Sequence, residues 1–173
     1  MRAGSIIGIL IFCCVNVYAQ EKDIHETDKV LPAEKVVLLI PDKIRGFEQT
    51  RDTRSSLIQM GTLRYSMCEK TFTKGVGRSI KILLFDYKEA PIMYTQATRR
   101  WNNFNPIEND SIIIDKILMA NCAGWEAYNK ELKNSQVFLG VCDRFFLQLT
   151  GQNIDLEVLK EVIQSFEFDK FPK

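Results

Sequence analysis

Histidine is almost absent from this chain: His25 is the only one in 173 residues, and it stands near the start. A serine or cysteine nucleophile needs a positioned base, most often imidazole, within hydrogen-bond reach. Beyond the first thirty residues no imidazole is left to serve. Cysteine is also sparse, five in all, and Cys68, Cys122 and Cys142 stand far apart. A structural zinc site wants four cysteines or histidines in close pairs, so neither metal nor cofactor is expected. An excess of one charge is missing too, with 23 basic against 22 acidic residues. Nucleic-acid binders concentrate positive charge and polybasic membrane-surface segments do the same, so neither partner is expected. The sequence has no glycine-rich loop between a strand and a helix. Gly75 and Gly77 lie in a short turn followed by a strand, which is the setting of a hairpin and not of a phosphate cradle.

What the chain does have is an N-terminus different in kind from the rest. Arg2 is the one charge of Met1–Gly4, and Ser5 to Val17 is then almost wholly apolar. Val17-Tyr18-Ala19 follows with a small residue at its end. This is the charged, apolar, small-residue order of a secretory signal, and the apolar run is shorter than the roughly 20 residues that cross a bilayer. Cleavage after Ala19 is therefore expected, with residues 1–19 a signal peptide and the protein periplasmic or secreted. Lipidation at Cys13 or Cys14 fits less well, because Phe12 or Cys13 precedes it where a small residue is usual. Loss of Arg2 leaves the charge formally balanced. No later run is apolar enough to span a membrane. Gln20 to Glu34 is polar and aperiodic apart from its end, and reads as a flexible leader. Residues 35–173 read as a single α+β domain.

Within that domain Val36 to Ile40 is an apolar run expected to be buried, stopped by Pro41. Thr62–Thr73 and Ser79–Tyr87 read as a hairpin around Lys74-Gly75-Val76-Gly77-Arg78. The first strand puts Leu63, Tyr65 and Met67 on one face. The second puts Ile80, Ile82 and Leu84 on one face and Leu83 and Phe85 on the other, as a strand inside a sheet does. Pro91 opens a helix at the position where proline sacrifices no hydrogen bond, and Met93, Ala97 and Trp101 make its apolar stripe. Strand patterning resumes from Ile112 towards Tyr128. Asn129–Ser135 is a turn, and Gln136–Thr150 reads as one long strand that changes phase at Arg144. Gly151-Gln152-Asn153 is the next turn. Asp155 then caps a helix whose Leu156, Leu159, Val162, Ile163 and Phe166 share a face. The expected plan is a mostly antiparallel sheet with two amphipathic helices.

Few residues offer chemistry. Glu126, Asp143 and Asp115 are the carboxylates that a glycosidase-like pair could draw on. Trp125, Tyr128 and Phe145 are the aromatics placed to line a pocket. A turn centred near Leu132 brings Cys122 and Cys142 close to register, so these two are the candidates for a disulfide, and a one-residue slip would separate them.

The stretch Gly124-Trp125-Glu126-Ala127-Tyr128-Asn129 is followed by Val141-Cys142-Asp143-Arg144-Phe145. After these come Leu147 to Asp155, a closing helix and Phe168-Asp169-Lys170-Phe171. Together with Leu39-Ile40-Pro41 and Gly46-Phe47 they resemble a loose group of small exported bacterial proteins of unknown function. The order of elements is more distantly similar to the α/β/α sandwiches of the PsbP type. Those motifs are structural, so the resemblance implies a bacterial envelope setting and no particular reaction. The expected function is a non-catalytic binding or accessory module for a protein or a small apolar ligand. The alternative is a small hydrolase using carboxylates or a free thiol.

Overall fold

The computed structural model describes residues 28–99, 101, 105–119 and 122–173. The first helix, α1, is short, Ala33–Val37. Two edge segments follow, β1 (Glu48–Gln49) and β2 (Arg54–Met60), then the long hairpin of β3 (Leu63–Thr73) and β4 (Ser79–Glu89). Helix α2 (Pro91–Thr98) leads to β5 (Ile107–Glu108), β6 (Ile112–Met119), β7 (Cys122–Asn129), β8 (Asn134–Val141) and β9 (Phe145–Gln152), and α3 (Leu156–Gln164) closes the fold. Among the described residues the nine strands make one antiparallel sheet in the order β1-β3-β4-β9-β8-β7-β6-β5, with β2 also on β3. The α+β expectation holds. The chain leaves β4 through α2, reaches the far edge at β5, and meanders back until β9 pairs with β4.

The inner face of the sheet is where the core sits. Ile80, Ile82 and Leu84 of β4 meet Leu147 and Leu149 of β9, and Val137 and Leu139 of β8 extend the layer; all are fully buried. Helix α3 packs on this face through Leu156, Leu159, Val162 and Ile163, with Phe166 just beyond it. Phe171 then meets Phe145 edge-on with ring centres 5.1 Å apart. Fully burying a leucine-sized side chain contributes about 1.5–3 kcal/mol, so this helix is a main stabiliser of the sheet. The outer face is half-covered by α2. Leu83 and Phe85 of β4 are half-buried there, as its double-sided apolar pattern implies.

On β3 Leu63, Tyr65 and Met67 share a face as expected; it is the half-buried outer one, and the core face is Ser66, Cys68, Lys70 and Phe72. Lys70 is tolerated at 1 % exposure because its ammonium donates to the Ile40 carbonyl at 2.9 Å and to Asp42 at 2.7 Å. Three other expectations need correction. The run Val36–Ile40 is not buried throughout: Val36 and Ile40 point inward at helical spacing, and Leu38 is 77 % exposed.

The segments read as single strands are both hairpins. Ile112–Tyr128 divides into β6 and β7, and Gln136–Thr150 into β8 and β9. In the second, Cys142 (φ 53°) and Asp143 (φ 51°) are both left-handed, and the Arg144 amide donates to the Val141 carbonyl at 3.2 Å. Two consecutive positive φ values are the signature of a type I′ turn, a geometry that usually advertises itself as Asn-Gly.

The leader boundary at residue 34 also moves. Val30 and Leu31 are buried, and Arg144 Nη2 donates to the Lys29 carbonyl at 2.8 Å. Residues 1–27, with the expected signal and His25, lie outside the described residues.

Candidate functional site

Helix α2 crosses the outer face of the sheet without sealing it. None of its residues is fully buried, and the stripe expected from Met93, Ala97 and Trp101 is half-exposed. The helix can approach at all because Gly140 of β8 has no side chain: a β-carbon there would lie 2.4 Å from the Tyr94 hydroxyl and 3.0 Å from the Trp101 ring. Trp101 stacks on Phe146 of β9, with centres 6.2 Å apart at 25°. Phe146 in turn neighbours Phe138 at 6.3 Å and Phe85 at 6.2 Å. An aromatic surface thus runs across β4, β9 and β8 under the helix.

Between this surface and the α2 side lies a groove of about 400 Å³. Trp101, Trp125, Phe138, Phe146 and Ile114 form its walls, and Ala97 of α2 overhangs it. Trp125 is 5 % exposed, and the Lys116 ammonium rests 5.6 Å from the centre of its ring. Glu126 borders the groove, but its carboxylate pairs with Lys160 of α3 at 2.9 Å. The groove walls therefore present carbon and π-faces, with one cation beside them. Concave apolar sites of roughly 300–1,000 Å³ are the usual receptacles of small molecules.

Trp101 also borders a second, more open cleft of about 720 Å³, which holds Tyr94, Met119, Cys122, Cys142, Asp143 and Lys173. Burial pushes the Tyr94 hydroxyl up to about 12, helped by the Asp143 carboxylate to which it donates. Burial likewise pushes the Cys122 thiol up to about 11, with the nearby Cys142 adding to the shift. An activated thiolate needs the opposite displacement, towards or below neutrality. The thiol form of the hydrolase reading gains no support here.

Cys122 and Cys142 are both free. The β7–β8 register sets Cys122 opposite Val141, one residue short of Cys142, so the strand pairing on which a bridge was expected is one residue off. The carboxylates do not converge either. Asp115 stands opposite Glu126 in the β6–β7 register, but Lys160 occupies Glu126 and Asp115 accepts from the Lys116 amide at 2.7 Å. Asp143 is in the β8–β9 turn, at the end of the sheet where β7 begins, and engages Tyr94.

Of the three aromatics Trp125 lines the groove. Tyr128 sits on the opposite face, its hydroxyl donating to Asp155 at 2.7 Å, and Phe145 is in the core. Phe138, Phe146 and Tyr94 were not anticipated. Phe138 points outward because it alternates with the inward Val137 and Leu139, Phe146 because the β8–β9 turn falls at Cys142-Asp143, and Tyr94 comes from α2. Among the described residues no group of three or more His, Cys, Asp or Glu side chains is placed to hold a metal ion. No helix among them is long and apolar enough to cross a membrane. Comparison of the chain with protein-family models, curated proteins and solved structures gives no match.

Proposed function

We propose that this protein is an exported, non-catalytic binding module that holds a small, flat apolar molecule in the groove beside α2. The observation that carries the reading is the groove itself, about 400 Å³ walled by two tryptophans and two phenylalanines. Stacked π-faces favour a planar or aromatic guest, because offset-stacked rings gain about 0.5–1.5 kcal/mol beyond area burial. Export rests on the order of charge, apolar run and small residues in 1–19. A periplasmic or secreted setting and kinship with small exported bacterial proteins are part of the same proposal. Helices against both faces of one antiparallel sheet support the PsbP-type α/β/α sandwich as the architecture, a likeness that carries no activity.

Both tryptophans of the chain, Trp101 and Trp125, line the groove, so occupancy is readable from intrinsic fluorescence. Titration with a phenylnaphthylamine probe is expected to quench tryptophan emission and saturate at one probe per chain. Ala97→Phe, which fills the groove from the half-exposed α2 side, should weaken binding at least about tenfold, a loss of about 1.4 kcal/mol. Non-saturable binding, or an affinity that Ala97→Phe leaves unchanged, would overturn the reading.

A further inference from the structure

The cleft next to the groove is lined by three sulfur-bearing residues, from the end of β6, the start of β7 and the β8–β9 turn. Met119 ends β6 and stands directly opposite Cys122, the first residue of β7. Cys122 in turn faces Val141 of β8, and Cys142 is the next residue along. Directly opposed strand residues bring their β-carbons to about 4.5–5.5 Å. The left-handed backbone of Cys142 (φ 53°) turns the chain out of the strand direction, and all three residues line the same cleft.

We infer that Met119, Cys122 and Cys142 form a binding site for a soft monovalent metal ion, copper(I). The argument is one of donor chemistry and charge. Thiolate and thioether sulfur select copper(I) over the harder divalent ions, which prefer imidazole and carboxylate. No histidine occurs among the described residues, and the nearby Asp143 carboxylate already accepts from Tyr94. Two thiolates around a monovalent cation leave one negative charge, as in a two-thiolate copper(I) site; Lys173 is also among the lining residues. On binding, the two S–H bonds break, two protons pass to solvent, two sulfur–metal bonds form and the thioether donates a lone pair. No electron is transferred. The inference stands on the cleft and does not depend on the groove.

The test is an anaerobic titration of the reduced full-length protein with copper(I), in competition with a bicinchoninate chelator. One ion per chain is expected, with ultraviolet sulfur-to-copper absorbance and a rise in Tm from mass action. Cys142→Ser, at a half-exposed position that the fold does not bury, should abolish the competition. Cys122→Ser should do the same where it folds. Met119→Leu keeps the shape but removes the thioether donor, and is expected to weaken binding by at least about tenfold, the loss that even an outer partner of a metal ligand produces. Cys68→Ala, in the core away from the cleft, should leave uptake intact. Failure to compete with the chelator, uptake that survives Cys142→Ser, or uptake indifferent to Met119→Leu would each overturn the site.

Discussion

Replacing Asp86 by asparagine keeps the size of the side chain and removes its charge at a place solvent does not reach. Asp86 is 0 % exposed and its partner Arg144 is 3 % exposed. One carboxylate oxygen accepts from Arg144 Nε at 2.8 Å and from the Lys88 amide at 3.0 Å. The other accepts from Arg144 Nη2 at 2.7 Å and from the Leu31 amide at 2.7 Å. Asparagine offers one oxygen for these donors and turns an NH2 towards the rest, while the guanidinium keeps its charge and loses the Asp86 carboxylate. Breaking one side of a buried pair costs about 3–5 kcal/mol, a large part of the roughly 5–15 kcal/mol that holds a domain folded. With a urea m value of about 2 kcal/mol/M, the unfolding midpoint should fall by about 1.5–2.5 M at unchanged slope. Tryptophan fluorescence in urea reads this directly. Hydrogen exchange should also show the Leu31 amide losing protection, because Asp86 and the Ser66 hydroxyl, which donates to the Leu31 carbonyl, together hold that residue. The double exchange Asp86→Leu with Arg144→Met should recover much of the loss, since the desolvation cost of both charges leaves with them. A single-variant loss below about 1 kcal/mol, well short of a broken buried pair, would refute the reasoning and detach Lys29–Leu31 from the fold.

Leu159→Ala, at a fully buried position of α3, should cost about 2–5 kcal/mol in a urea or thermal melt; a change under about 0.5 kcal/mol, the scale of surface sites, would mean the helix packs elsewhere. Gly140→Ala places a methyl group 2.4 Å from the Tyr94 hydroxyl; it should push α2 outward, cost about 1–3 kcal/mol and weaken probe binding in the groove, which fluorescence titration checks. Cys142→Asn should stabilise by about 1 kcal/mol, because asparagine takes the left-handed conformation of the turn more readily than other residues with a side chain; an unchanged melt would show that the turn carries no strain. Asp42 is held below its ordinary carboxyl value by the hydrogen bond and charge of Lys70, so its contribution is present above about pH 4 and is lost as pH falls through that lowered value. A wild-type melt series in acid should therefore lose stability faster than Asp42→Asn, by a modest amount because Asp42 is 85 % exposed and screened.

The parts of the fold legible in the sequence are those where alternation and turn chemistry agree. The β3–β4 hairpin announced itself through Gly75 and Gly77, both at positive φ, and α3 through five apolar residues on one face. The β8–β9 hairpin did not, because its turn is Cys-Asp and glycine-free. On β3 the buried residues Ser66 and Lys70 disguise the inner phase, so alternation places Leu63, Tyr65 and Met67 on one face without telling which face it is. Val30 and Leu31 are too short a pair to give a period, and what holds their segment is largely main-chain hydrogen bonding to Asp86, Ser66 and Arg144. The groove was half visible: Trp125, the α2 stripe and the alternation of Phe138 with Val137 and Leu139 could be read, whereas Phe146 depends on a phase that only the turn sets.

That turn does more than reverse the chain. Its three residues leave Val141 and Phe145 as an opposed pair on the inner face and Gly140 and Phe146 as the next pair on the outer face. Inward, Arg144 reaches Asp86 and the Lys29 carbonyl, tying together β4, the turn and the segment before α1. Outward, Gly140 opens the space for Tyr94, while Phe146 supplies the surface on which Trp101 stacks. Because strand side chains alternate with period two, a shift of one residue at this turn would send Phe145, Leu147 and Leu149 to the groove side and Phe146 to the core. The stability of the inner layer and the shape of the groove are thus set by the same loop length. A groove built this way has its aromatic floor fixed by the sheet, while α2, half-exposed and without a fully buried residue, forms its other wall.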